Sequence, residues 1–155
     1  MINSSSSYSS SFTSHLHKPV LLKEMLENLS PKNGEVYVDG TFGAGGYTRA
    51  LLESCNCTVY AIDRDPDVQI FAEKLANEFA GRINFIIGNF SDMAELLESK
   101  GVKNVDGIVL DIGVSSMQID SPERGFSFSH DGPLDMRMGK HGKSAAYLVN
   151  EGEEK

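Results

Sequence analysis

Four short stretches of this 155-residue chain hold the residue types that chemistry needs. The first is Asp39-Gly-Thr-Phe-Gly-Ala-Gly-Gly-Tyr47, set between a strand-like and a helix-like segment. Glycine lets the backbone approach a ligand and adopt positive φ, and a helix N-terminus offers free N–H groups. In a dinucleotide enzyme such groups hold a pyrophosphate; in a methyl-transferring enzyme they face the ribose and amino-acid end of a nucleoside cofactor. The spacing of Gly43, Gly45 and Gly46 is not the Gly-x-Gly-x-x-Gly fingerprint, and a plain tight turn accounts for it too. The second stretch is Asp63, roughly 20 residues beyond Gly43, the interval at which an acid meets ribose hydroxyls. Its alternative role is a helix N-cap, which Asp65 fills better; Asp65 and Asp67 read as capping or solvated residues. The third is Asn89-Phe90. Phe90 offers an aromatic base an apolar face, with Asn89 or backbone at its polar edge, or else it is core. The fourth is Asp111-Ile-Gly-Val-Ser-Ser116, an acid, a glycine and two serines closing an apolar run; a helix cap is the other reading of Asp111.

The elements around these stretches place them together. Leu22, Met25, Leu26 and Leu29 recur at helical spacing, so Val20–Leu29 reads as a helix ended by Ser30-Pro-Lys-Asn-Gly34. Glu35–Asp39 is a strand and Tyr47–Ser54 a helix. Thr58–Asp63 is a second strand, after which Asp65-Pro66 reads as an N-cap with proline at the first helical position. Val68, Phe71, Ala72, Leu75 and Phe79 stripe the helix that follows. Ile83–Ile87 is a third strand, Ser91 starts a third helix, and Val105–Asp111 is a fourth strand. Strands alternating with helices imply a parallel α/β sheet with crossover connections. The expected architecture is Rossmann-like, with about four strands in the order 3-2-1-4. Strands one and four are then neighbours, and Asp111 faces the glycine loop. Residues 113–143 read as loop, with aromatics at Phe126 and Phe128, and Ser144–Val149 opens a helix.

Composition narrows the class. With 40% hydrophobic and 23% charged residues the chain can bury a core as one domain. No apolar run approaches the ~20 residues that span a bilayer. A net charge of -8 argues against a uniformly basic nucleic-acid module, but Arg124, Arg137, Lys140 and Lys143 form a local basic stretch able to meet RNA, with Phe126 or Phe128 available for stacking or for packing the loop. Cys55 and Cys57 lack a second pair for a zinc site and read as reduced thiols; His130 and His141 have no ligand cluster around them, so no metal is expected. Residues 1–14 are serine-rich and read as a disordered tail without the features of a signal or transit peptide, which places the chain in the cytoplasm.

Five stretches together resemble one family, the RsmH/MraW small-subunit ribosomal RNA cytosine-N4 methyltransferases. They are His17-Lys-Pro-Val-Leu-Leu-Lys-Glu24, Tyr37-Val-Asp-Gly-Thr-Phe-Gly-Ala-Gly-Gly46, Ala61-Ile-Asp-Arg-Asp-Pro66, Val105-Asp-Gly-Ile-Val-Leu-Asp-Ile-Gly-Val-Ser-Ser116 and Arg124-Gly-Phe-Ser-Phe-Ser-His-Asp-Gly-Pro-Leu-Asp-Met-Arg-Met138. The last is very specific, because no general Rossmann constraint demands it.

The resemblance, which runs from about His17 to Met138, implies a class I fold that binds S-adenosylmethionine through Gly45, Gly46, Tyr47, Asp63, Phe90, Asp111 and Gln118. Family members usually carry histidine where this chain has Tyr47. The implied reaction is methylation of a cytidine amine, with Asp111 and Ser115 or Ser116 as catalytic candidates and the small-subunit RNA, or the assembled subunit, as partner. Family members are much longer and insert a helical substrate-recognition domain after the fourth strand. The expected organisation is therefore a tail at 1–14, the front of a methyltransferase domain at 15–143 and the start of that insert at 144–155. The chain is expected to be a truncated N-terminal portion, with a separate C-terminal half as a further partner. A non-catalytic fragment that binds cofactor or RNA is the alternative, and a nicotinamide-dependent oxidoreductase a third.

Overall fold

The structure, a computed structural model, describes residues 19–153; the expected tail at 1–14 lies outside the described residues. Strands Val36–Asp39 (β1), Thr58–Asp63 (β2), Ile83–Ile87 (β3) and Gly107–Val109 (β4) pair in parallel in the order β3-β2-β1-β4, as the alternation predicts. Helices Leu22–Leu29 (α1), Gly46–Ser54 (α2), Gln69–Glu78 (α3) and Met93–Ser99 (α4) surround the sheet. Two short helices, Ser116–Asp120 (α5) and Ala145–Glu151 (α6), follow β4.

The sheet's period of two sorts the core onto two faces. Tyr37, Val59, Ala61, Ile83 and Val109 pack with Leu51, Leu52, Ala72 and Leu75 of α2 and α3, and with Met25, Leu26 and Leu29 of α1. Val38, Ile62 and Ile86 face the other way, onto Leu97, Leu96 and Met93 of α4. That second face is thinly covered at β4, where Ile108 and Leu110 are exposed.

Element ends differ from the expectation where a local contact decides them. Leu21 adopts φ +58°, so α1 starts at Leu22 rather than Val20. Asn89, not Ser91, caps the third crossover: its side chain accepts the Ser91 N–H and opens a single 3-10 turn before α4. The fourth strand is three residues rather than seven: among the described residues β4 pairs only with β1, itself four residues long. The Asp65-Pro66 start holds, with Asp65 accepting the Asp67 N–H. The largest miss is α5, inside a segment read as loop. Ser115 and Gln118 form a reciprocal capping box, a pattern present in the sequence as Ser-x-x-Gln.

Asp39 ends β1 inside the protein, fully buried. Burial pushes its carboxyl up to about 6; the Thr48 hydroxyl, donating at 2.7 Å, and the Thr41 N–H pull it back. Between its ordinary value of 3.8 and about 6, the folded chain holds a proton that the unfolded chain has released. Asp39 thus makes stability rise as pH falls through that window, and subtracts from stability above it. Urea unfolding across this range should show a flatter pH dependence in Asp39→Asn than in the parent chain; an unchanged slope overturns the assignment. Thr48→Val, which strips the charged form of a donor, should lower stability at neutral pH by about 1–3 kcal/mol.

Candidate functional site

All four chemistry-bearing stretches meet beyond the carboxyl ends of the strands. There they line a cavity of about 730 Å³, within the roughly 300–1,000 Å³ usual for ligand pockets. It opens where the strand order reverses between β1 and β4, the place where open α/β sheets bind ligands.

One wall is the glycine loop. Gly43 takes φ +53° and Gly45 φ +81°. The Gly43 N–H donates to Asp63 Oδ2 at 2.8 Å, and Asp63 Oδ1 accepts the Asp65 N–H at 2.9 Å. One carboxylate thereby ties the loop after β1 to the turn after β2. Gly46 and Tyr47 line the cavity, whereas Gly45 stands behind it, where a Cβ would lie 2.7 Å from Leu75 and 2.8 Å from Phe42. Packing demands glycine there. Gly46 in turn lets Pro19 lie against the loop, because a Cβ would come 2.3 Å from the proline ring.

The opposite wall follows β4. The Asp111 N–H donates to Thr41 Oγ1 at 2.7 Å, which fixes Asp111 beside the glycine loop, as the strand order implied. Asp111, Ser115, Ser116 and Gln118 all line the cavity, with Phe90 beside Gly88 between the walls. Ser115 is occupied as a cap, its hydroxyl accepting the Gln118 N–H. The Gln118 side chain is buried and fully engaged. Its oxygen accepts the Ser115 N–H at 3.0 Å and its amide donates to the Met138 carbonyl at 2.9 Å.

Tyr47 donates its hydroxyl to the Val20 carbonyl. Burial pushes that hydroxyl above its ordinary range, and the negative charge of Asp111 pushes it further.

The basic stretch is placed differently from a free surface patch. Arg124 is only 14% exposed and pairs with Asp65, itself 6% exposed, at 2.8 Å. Its other amino group donates to the carbonyls of Arg137 and Met138. Asp65 is therefore a cap, as expected, but buried rather than solvated. Arg137 is held by both oxygens of Asp135, whose carboxyl it lowers to about 2. Lys140 meets Asp67, and Lys143 lies 4.3 Å from the centre of the Tyr147 ring. Phe128 is fully exposed and Phe126 half-buried. Among the described residues, no group of three or more His, Cys, Asp or Glu could hold a metal ion, and no helix is long and apolar enough to cross a membrane.

A sequence profile of the MraW methylase family matches residues 14–155. The chain belongs to the MraW methylase family. The match continues past Met138, where the resemblance read from motifs ended, to the final residue. Ribosomal RNA small subunit methyltransferase H of Parvibaculum lavamentivorans is 60% identical over 138 residues, which cover 89% of this chain and 41% of that one. The protein of the same name from Ehrlichia chaffeensis is 60% identical over 123 residues, 79% of this chain and again 41% of that one. The chain thus spans about two fifths of the length of the curated relatives it matches. Among solved structures, a candidate methyltransferase of Streptococcus mutans in complex with SAH superposes with a TM-score of 0.51 at 15% identity, over 63% of this chain and 55% of that one; the likeness is one of fold.

Substitution Asp111→Asn removes the negative charge facing Tyr47 and should let that hydroxyl ionise at lower pH. Tyrosinate absorbance read across an alkaline titration, with Tyr47→Phe identifying the component, checks this. An identical curve in Asp111→Asn would show that the two groups do not interact.

Proposed function

We propose that this chain is the cofactor-binding portion of an S-adenosylmethionine-dependent methyltransferase that methylates the N4 amine of a cytidine in small-subunit ribosomal RNA. One observation carries the reading: Asp63, Phe90 and Asp111 line a single cavity with the glycine loop, in a chain that belongs to a methylase family. Membership of that family sets the nicotinamide reading aside.

The residues present fit the cofactor. Gly46, Tyr47, Asp63, Phe90 and Asp111 would hold it, with Gly45 and Gln118 in support. A carboxylate has roughly four acceptor positions, and backbone N–H groups take two at Asp63. The rest suit the two hydroxyls of a ribose. Phe90 gives the adenine an apolar face. Gly45 and Gln118 act on the shape of the site, Gly45 through the loop's turn and Gln118 by fixing Met138 at the rim. S-adenosylmethionine, when bound, supplies an electrophilic methyl group.

The chain's own part in the reaction is positioning and proton management. The cytosine amine is a weak nucleophile because its lone pair is delocalised into the ring. Asp111, held by Thr41, would accept one N–H of that amine and raise electron density on the nitrogen, with Ser115 and Ser116 beside it; such proton management contributes roughly 10²–10⁴-fold. Lys140 and Lys143 would meet RNA phosphates, and Arg124 and Arg137 would shape the loop that carries them. Residues 144–155, with α6, would begin the helical substrate-recognition region, and the enzyme would act in the cytoplasm on the RNA or the assembled small subunit.

The second reading, a chain that binds cofactor without turnover, is favoured by one feature: Ile108, Leu110, Ile112 and Val114 are exposed along β4 and the cavity wall that follows it. Calorimetry should show binding of S-adenosylhomocysteine, no binding of NAD, and at least about tenfold weaker binding in Asp63→Asn. Label from S-adenosylmethionine should then pass to small ribosomal subunits, and Asp111→Asn should lose about two orders of magnitude in that rate. Binding without transfer supports the second reading; absence of binding overturns both.

A further inference from the structure

A chain of buried and part-buried polar contacts runs from the glycine loop to the loop that spans residues 122–143. Asp63 holds Gly43 on one side and the Asp65 N–H on the other, at 2.8 and 2.9 Å. The Asp65 side chain takes the Arg124 guanidinium at 2.8 Å and lies 3.5 Å from the Gln118 amide. Arg124 and Gln118 both donate to the Met138 carbonyl at 2.9 Å. Arg124 also accepts, through its backbone carbonyl, the Met136 N–H at 3.0 Å, and Met136 sits at φ +55°.

The acids make this contact one that the turn after β2 needs. Asp63, Asp65 and Asp67 place three carboxylates in one turn. The cations that answer them come from the distant loop: Arg124 spans Asp65 and Asp67, and Lys140 meets Asp67. A buried guanidinium left without its carboxylate is strongly unfavourable. Docking of the loop therefore depends on the turn, and the docked loop adds two cations to the single one, Arg64, that the turn itself carries. The backbones are close as well: the Arg64 carbonyl would lie 3.0 Å from a Cβ at Gly139.

We infer that Asp65 and Arg124 are positioning residues that couple the cofactor cavity to the loop at 122–143, so that a ligand held by Asp63 orders the loop and the docked loop strengthens the ligand's binding. Such coupling is reciprocal by thermodynamic necessity. It rests on the cofactor reading of the cavity, and it goes beyond that reading in assigning the loop's order to the cofactor. Of residues 122–143 only Met138 lines the cavity, so direct contact does not explain an effect on the rest.

Hydrogen exchange of the whole chain, with and without saturating S-adenosylhomocysteine, tests this. The expected result is slower exchange of the amides between Arg124 and Lys140 when the ligand is bound. Asp65→Asn, and separately Arg124→Lys, which keeps the charge but loses the fork, should bind the ligand roughly tenfold more weakly and lose that slowing while the strand amides keep theirs. Retained strand protection shows that each variant is folded. Binding with no slowing in the loop of the parent chain overturns the coupling and leaves the cofactor reading intact. Slowing and affinity unchanged in both variants overturn the roles of Asp65 and Arg124. Absence of any binding removes the cofactor reading and the inference with it.

Discussion

The Asp63 carboxylate takes one N–H from the glycine loop and one from the turn after β2, and the rest of the site is arranged around that pair of bonds. Two backbone segments, each with an N–H to satisfy, are drawn to a single charge at the end of β2. Behind it, Asp39 performs the same service for the start of the loop, with Thr41 and Thr48 as donors. The two acids differ in one physical respect. Asp39 is sealed in and its charge is costly; Asp63 opens onto the cavity with acceptor positions to spare. One acid builds the cradle and the other remains available to a ligand.

Much of this was legible because parallel α/β sheets have few solutions. Four apolar runs separated by helical stripes imply a parallel sheet, and the Rossmann-like order 3-2-1-4 expected for it puts Asp111 beside the glycine loop. The periodic signal fails where a contact between distant segments sets the outcome. Val105–Asp111 is apolar enough for a seven-residue strand, but the length of its partner β1 decides how much of it pairs. Asp65 looks like an ordinary helix cap, and it is one; nothing near it in sequence announces Arg124. The place of Arg124 was hidden for the same reason, since an arginine that neutralises a buried acid is indistinguishable in sequence from one that faces RNA. Helix α5 was readable: the Ser115–Gln118 box is a local signal, masked by the glycine and serine content of its surroundings.

The loop after β4 is far from an unstructured connection. Gly125 and Gly132 admit the carbonyls of Pro133 and Pro122, which a Cβ would meet at 2.2 and 2.0 Å. The N–H groups of Ala145 and Ala146 return to the carbonyls of Asp135 and Leu134, so the start of α6 is pinned to the same loop. A long connection is held in one shape by backbone bonds and by the acids of the turn after β2, and that accounts for its very specific sequence without requiring each residue to touch a ligand.

The joint between β1 and β4 has a consequence for the order in which the chain assembles. Val36 and Asp106 exchange two hydrogen bonds, and Thr41 reaches Asp111, each across 70 residues. The β1–β2 and β2–β3 pairings close much shorter stretches. Loop-closure entropy grows slowly with length, but contacts distant in sequence form late because their closure precedes any reward. During synthesis three strands and two crossover helices can associate before β4 leaves the ribosome. Of these four strands the last to arrive is the one that brings Asp111 to the glycine loop, so the cavity forms only once β4 has paired with β1.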